Sequence, residues 1–281
     1  MIVRCWGARG SIPVSGREYN RYGGSTTCLE IQTQDDQIIV IDAGSGIRKL
    51  GLTLLQEKRR DLHLIFTHAH WDHLIGFPFF GPIYRSGTRI NFYGCPFAQQ
   101  SVRAIFAGSM QSPNFPVDFS AVKAEITYQE SCQDAFSIGS VSVTPILLSH
   151  PNQGIGFKFS EAGKQFVFLT DNELTHSHPG GLPYEAYRDF SAGADLLIHD
   201  AQYTPAEYPK ITKGWGHSLY TDALRLATEA GVQRFGLFHH DPERTDDGVD
   251  AMVADCQRIL DAGQSGIECF AVHEGLEVEL G

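Results

Sequence analysis

Three imidazoles and a carboxylate fall within six residues at His68-Ala69-His70-Trp71-Asp72-His73, directly behind the apolar run Leu62-His63-Leu64-Ile65-Phe66. A short apolar run of this kind reads as a buried strand, so the cluster sits on a strand-end loop. In extended chain, residues two apart share a face. His68 and His70 can therefore grip one cation, while Asp72 and His73, past the bend, reach a second. A fold for this chain has to bring further donors to that loop.

Two cations about 4 Å apart take roughly seven or eight ligands, with a carboxylate between them. Three more donors follow, each behind a β-rich run. Val141-Ser142-Val143-Thr144-Pro145-Ile146-Leu147-Leu148 ends at Ser149-His150, Phe166-Val167-Phe168-Leu169-Thr170 ends at Asp171, and Arg234-Phe235-Gly236-Leu237-Phe238 ends at His239. One of these alone is an ordinary loop or capping residue. Their joint recurrence at strand ends is what points to metal.

With Asp42 in Ile39-Val40-Ile41-Asp42-Ala43-Gly44, the order Asp, H-x-H-x-D-H, His, Asp, His resembles the metallo-β-lactamase superfamily of dinuclear metal hydrolases, over nearly the whole chain. The resemblance implies a four-layer αββα sandwich of two mixed β-sheets flanked by helices, with the metals at one edge between the sheets. It also implies that His68, His70 and His150 hold one divalent cation, that Asp72, His73 and His239 hold the other, that Asp171 bridges them, and that Asp42 orients the His loop by hydrogen bonds. The attacking group is then a hydroxide held between the cations.

All seven donors are imidazole or carboxylate, which suits zinc and also manganese or iron. Relatives that open β-lactams often carry Cys at the position of Asp171, and the diiron oxidoreductase branch carries Glu at that of His70. Neither occurs here, so the resemblance favours hydrolysis over redox chemistry.

Gly214-Trp215-Gly216-His217-Ser218 precedes a helical pattern through Leu219, Ala223, Leu224, Leu226, Ala227 and Ala230 that stops at Gly231. This spacing makes Ser218 an N-cap and turns His217 toward an anion. Asp195-Leu196-Leu197-Ile198-His199-Asp200 reads as a strand ending in a carboxylate, with His199 as a competing partner. The two segments resemble the Asp/Glu plus G-H-S arrangement of the ribonuclease Z and cyclic phosphodiesterase branch. There the carboxylate orients the His that protonates the leaving oxygen. The expected catalytic residues are accordingly His217, Asp200 and the ligand Asp72.

The chain has 22 basic and 33 acidic side chains, a net charge of −11 that two divalent cations would only partly offset. Polyanions need a basic footprint, and the one short basic run, Lys58-Arg59-Arg60, reads as a solvated helix end. A small phosphodiester such as a cyclic nucleotide or dinucleotide fits this surface better than a large nucleic acid. The alternatives are a ribonuclease Z-like RNA endonuclease and a hydrolase of a carboxylic ester, lactone or thioester, which would use the same metals but not an Asp-oriented His217.

The donors run from Asp42 to His239, so a single hydrolase domain over 1–281 is expected. No apolar stretch approaches ~18 residues and the N-terminus begins a strand rather than a leader, which predicts no membrane association and a cytoplasmic protein. Cys5, Cys28, Cys95, Cys132, Cys256 and Cys269 are dispersed without a C-x-x-C pair and are expected as reduced thiols.

Pattern and turn signals predict strands near 2–6, 27–33, 37–42, 141–148, 155–159, 165–170, 195–199, 234–238 and 267–272, a hairpin at Gln34-Asp35-Asp36-Gln37, and helices near 46–58, from Ser218, and 246–262. Between Phe77 and Phe136 lie Phe77-Pro78-Phe79-Phe80 and Met110 to Val117, either of which could wall the pocket, pack under the metal loop or meet a partner in a homodimer. Trp71 and Trp215 are stacking candidates for a base. The loops Gly7 to Pro13 and Arg21 to Thr27 offer glycines, hydroxyls and Arg that could cradle a phosphate or simply turn at a sheet edge.

Overall fold

A computed structural model describes residues 1–94, 102–113, 115–130, 134–208 and 212–281. The first sheet is built from β1 (Ile2–Gly7), β2 (Cys28–Gln32), β3 (Ile38–Ile41), β4 (Asp61–Ile65), β5 (Arg89–Gly94), β6 (Glu125–Glu130) and, late in the chain, β14 (Glu277–Glu279), in the order β14-β1-β2-β3-β4-β5-β6. The second contains β7 (Phe136–Ile138), β8 (Val141–Leu148), β9 (Gly154–Glu161), β10 (Lys164–Leu169), β11 (Leu196–Asp200), β12 (Arg234–Phe238) and β13 (Glu268–Ala271), in the order β13-β12-β11-β10-β9-β8-β7. Each sheet is antiparallel at one side and parallel at the other, from β3 to β6 and from β10 to β13.

The parallel parts need covering on both faces, and their sequences provide for it. On β3, Ile39 and Ile41 point into the core between the sheets while Ile38 and Val40 point outward. On β10, Phe166 and Phe168 meet that inter-sheet core, and Val167 and Leu169 face the helices. Hence the near-continuous apolar runs.

Helices α1 (Ile47–Gln56) and α2 (Val102–Ser109) lie outside the first sheet; α3 (Tyr184–Phe190), α4 (Tyr220–Ala230) and α5 (Asp246–Ala262) lie outside the second. The result is a four-layer αββα sandwich. Helix α4 stops at Gly231, whose φ of 64° is the left-handed turn the sequence provides for there. Thr245 caps α5 by accepting from the Gly248 amide.

Several expectations change. Ser218 is not the N-cap of α4: Leu219 holds that position, and the Ser218 hydroxyl donates instead to the Asn172 carbonyl at 2.5 Å. Helix α1 ends before Lys58-Arg59-Arg60, and Arg59 turns back to pair with Asp36. Of the alternatives for Phe77 and Phe80 the structure takes packing: both are fully buried in one core with Phe66, Phe92, Phe106 and Met110. Phe79 is exposed and meets Phe115 edge-on. Strands β5, β6, β7 and β14 and helices α2 and α3 went unread in the sequence.

Cys5, Cys28 and Cys256 are buried free thiols and Cys269 is a half-buried one, while Cys95 and Cys132 lie outside the described residues, as does Asn114 of the Met110 to Val117 stretch. Among the described residues no helix is long and apolar enough to cross a membrane.

Candidate dinuclear metal site

Strands β3 and β4 of one sheet and β8, β10, β11 and β12 of the other deliver their carboxyl ends to the same edge of the sandwich, where open α/β sheets usually hold ligands. Asp42, His68, His150, Asp171, Asp200 and His239 all stand at or just beyond those ends. At three of them the backbone is left-handed: φ is 62° at Asp42, 53° at Asp171 and 59° at His239. Asp, Asn and His tolerate that region better than other non-glycine residues, and here it swings each side chain out of the strand direction toward the centre.

The side chains converge in two overlapping groups. His68, His70, His150 and Asp171 each present one donor atom, all within 4.8 Å of one another, and so do Asp72, His73, Asp171 and His239. Asp171 belongs to both. Its Oδ2 lies 3.5 Å from His68 Nε2 and 3.8 Å from His150 Nε2, and its Oδ1 lies 3.3 Å from both His73 Nε2 and His239 Nε2.

Outer contacts fix which nitrogen faces inward. Nδ1–H of His73 donates to Asp42 at 2.8 Å, that of His150 to the Gly216 carbonyl at 2.9 Å and that of His239 to Gln202 Oε1 at 2.8 Å, leaving Nε2 toward the centre. The Thr67 hydroxyl accepts from His68 Nδ1 and donates to Asp42, so one carboxylate orients two imidazoles. The Ser11 amide donates to Asp72 Oδ2 at 2.8 Å.

This donor set fits two divalent cations. Among the described residues His68 Nε2 and His73 Nε2 are buried without a hydrogen-bond partner, an arrangement that is costly unless something electrophilic meets them. Burial pushes the His150 imidazole down to about 3, which keeps its lone pair free. Burial works against the charges of Asp72 and Asp171 as well, yet the surrounding imidazoles hold both well below the usual carboxylate range.

His217 stands between the groups, its ring 4.8 Å from that of His239 and 5.2 Å from that of His150. Its Nδ1 lies 2.8 Å from Asp200 Oδ2. Burial alone would lower it, but Asp200, with Asp171 and Asp72 behind, pushes it up to about 9. His199 takes no part: it bonds the backbone of Asp200 and the Asn172 side chain.

Trp71, next to Asp72, and Trp215, two residues before His217, are 61% and 58% exposed. The Arg-bearing loops near the N-terminus do not cradle an anion through their Arg residues. Arg9 is buried, spending its guanidinium on the carbonyls of Gly23, Asp241 and Arg244, and Arg21 pairs with Asp247 and Asp250.

Gln202, Thr67 and the Ser11 amide were not singled out in the sequence. Gln202 follows a strand-end carboxylate and Thr67 precedes a ligand-type His, so adjacency was the available signal; Ser11 lies in the Gly7 to Pro13 loop that the sequence offers as an anion cradle, and the anion its amide meets is the Asp72 carboxylate.

Residues 37–240 match the family model of the beta-lactamase superfamily domain. A ribonuclease Z from Brevibacillus brevis is 25% identical over 269 residues, covering 80% of this chain and 83% of its own. Among solved structures, the metallo-beta-lactamase fold protein YhfI from Bacillus subtilis superposes with a TM-score of 0.71 at 17% identity, over 99% of both chains. A diphosphatase of the PhnP family does so with 0.69 at 17% identity, over 100% of this chain and 98% of that one. With two mixed sheets between helices and a family match over most of its length, this chain belongs to the beta-lactamase superfamily domain family, as a hydrolase of metallo-β-lactamase fold.

Proposed function

We propose that this protein hydrolyses a small phosphodiester, of the class of cyclic nucleotides or dinucleotides, with His68, His70 and His150 holding one divalent cation, Asp72, His73 and His239 a second, and Asp171 shared between them. The observation that carries this reading is the His217–Asp200 pair at 2.8 Å, set against both donor groups. An aryl ester or thioester, whose leaving group departs as a stable anion, needs little help from a second, carboxylate-oriented imidazole there. Departure of an alkoxide from phosphorus needs that help.

Two divalent cations, zinc or else manganese or iron, would neutralise phosphoryl oxygens and acidify a water at this site. The chain's own residues do the rest. Asp42 keeps Nε2 of His73, and through Thr67 that of His68, aimed inward. Asp200 accepts from His217 Nδ1–H and favours the imidazolium, so Nε2 carries the proton that the leaving oxygen takes. Trp71 and Trp215 present faces on which a base can stack.

The charge of −11 favours a small substrate over a polynucleotide. A ribonuclease Z-like reading is favoured instead by the likeness to the Brevibacillus brevis enzyme. Assaying the purified, metal-analysed protein on cyclic mononucleotides, cyclic dinucleotides, bis-p-nitrophenyl phosphate, a precursor transfer RNA and an aryl ester decides. Turnover of the small diesters above the others is the expected result, and faster turnover of the aryl ester would sink the proposal.

A further inference from the structure

The loop that carries His217 is held from beneath by a carboxylate that the chemistry above does not use. Glu173, 1% exposed, stands two residues beyond Asp171. Its Oε1 accepts from the Tyr208 hydroxyl and from the Gly214 amide at 2.7 Å; its Oε2 accepts from the Gly216 amide at 2.8 Å and from His178 Nε2 at 2.7 Å. A carboxylate offers about four lone-pair sites, and all four are filled here.

Two of those four donors are amides flanking Trp215, which points out to solvent. Both glycines are left-handed, with φ of 89° and 96°. A segment with two glycines in three residues has much conformational freedom to lose on ordering, and bonds to an ionised acceptor are the strong kind that can offset it. Beyond the clamp, the Gly216 carbonyl meets His150 Nδ1, and the next residue is His217. Past His217, the Ser218 hydroxyl is tied to the Asn172 carbonyl and the Leu174 amide, on either side of Glu173. The segment that supplies Asp171 thus also fastens the loop that supplies His217.

We infer that Glu173 is a positioning residue: by gripping the amides of Gly214 and Gly216 it sets the place of His217 against the donor groups. The inference rests on the reading of His217 as donor to the leaving oxygen, so its test reports on each separately.

Glu173→Gln, His217→Ala and the double variant are compared with wild type, metal-loaded and full length, on two thymidine 5′-aryl phosphodiesters that release p-nitrophenol or phenol. A lost proton donor slows the poorer leaving group, phenol, more. Glu173→Gln is expected to widen the gap between the two esters by about tenfold, to leave metal content unchanged by elemental analysis, and to speed hydrogen exchange at the Gly214 and Gly216 amides by about tenfold. The double variant is expected to be no slower than His217→Ala.

Wild-type discrimination in Glu173→Gln beside a widened gap in His217→Ala overturns the role of Glu173 alone, as does a double variant slowed by the product of the two single effects. His217→Ala without a widened gap overturns the donor reading and this inference with it, while the exchange rates still report whether Glu173 clamps the loop. If Glu173→Gln does not fold, Tyr208→Phe, which withdraws one donor from the carboxylate, should widen the gap in the same direction by a smaller factor; no widening counts against Glu173.

Discussion

His217 donates a hydrogen bond from Nδ1–H to Asp200 across 2.8 Å while its ring lies against those of both His150 and His239. Replacement by alanine removes the proposed proton donor but none of the residues proposed to hold cations. His217→Ala should keep full metal content and lose about two orders of magnitude in turnover of a phosphodiester. Turnover near wild type would take His217 out of the reaction.

On the proposed reading, Asp200 sets the pH range over which His217 can donate a proton. A group needed in its protonated form loses activity as pH rises through its pKa, and His217 is pushed up to about 9 chiefly against burial by Asp200. Asp200→Asn keeps the shape and removes the charge, so the alkaline limb of the kcat profile should move to lower pH. An unmoved limb would mean that another group titrates there.

Removal of metal exposes the cost of the buried, unpartnered nitrogens of His68 and His73. Titration of metal-free protein should bind about two equivalents and raise the melting temperature with cation concentration. In Asp171→Ala both groups lose a common member, and stoichiometry by elemental analysis should fall below that of wild type. A variant that still binds two equally tightly would show that Asp171 is not shared.

Asp42 contacts His73 and Thr67 and belongs to neither donor group. Its loss should appear as weaker binding, about 10–100-fold in Asp42→Asn by competition with a chelator.

Gly216 has no room for a side chain. A Cβ there would stand 2.0 Å from His150 Nδ1 and 2.4 Å from Pro151 Cδ, at a φ that only glycine adopts without strain. Gly216→Ala should lower cation affinity and turnover together; crystals of the variant with His150 undisplaced would contradict this.

The donors were legible in the sequence because each follows a run whose apolar periodicity announces a strand, and strand ends are where a parallel sheet exposes side chains. Val141–Leu148 and Arg234–Phe238 coincide with their predicted spans, as does α5. Illegible were contacts made across the chain. The sequence leaves Phe77 and Phe80 open between pocket wall, packing and partner contact, because α2 and β5, unread there, supply the Phe106 and Phe92 of the core that takes them both in. Arg9 resembles an anion ligand until carbonyls from residues over two hundred positions away fill its donors. Ser218 precedes a helix as a cap should, and only the fold shows Asn172 nearer to its hydroxyl.

Asp42, Asp171 and His239 each turn the chain left-handed where a strand gives out. Asparagine accepts the same twist, so it can stand at any of these corners without disturbing the path of the chain, whereas a β-branched replacement would bend it. Shape and charge are therefore separable at these corners: Asn variants at 42 and 171 would report what the negative charges contribute, and the further loss on going from Asn to Val would report what the geometry contributes.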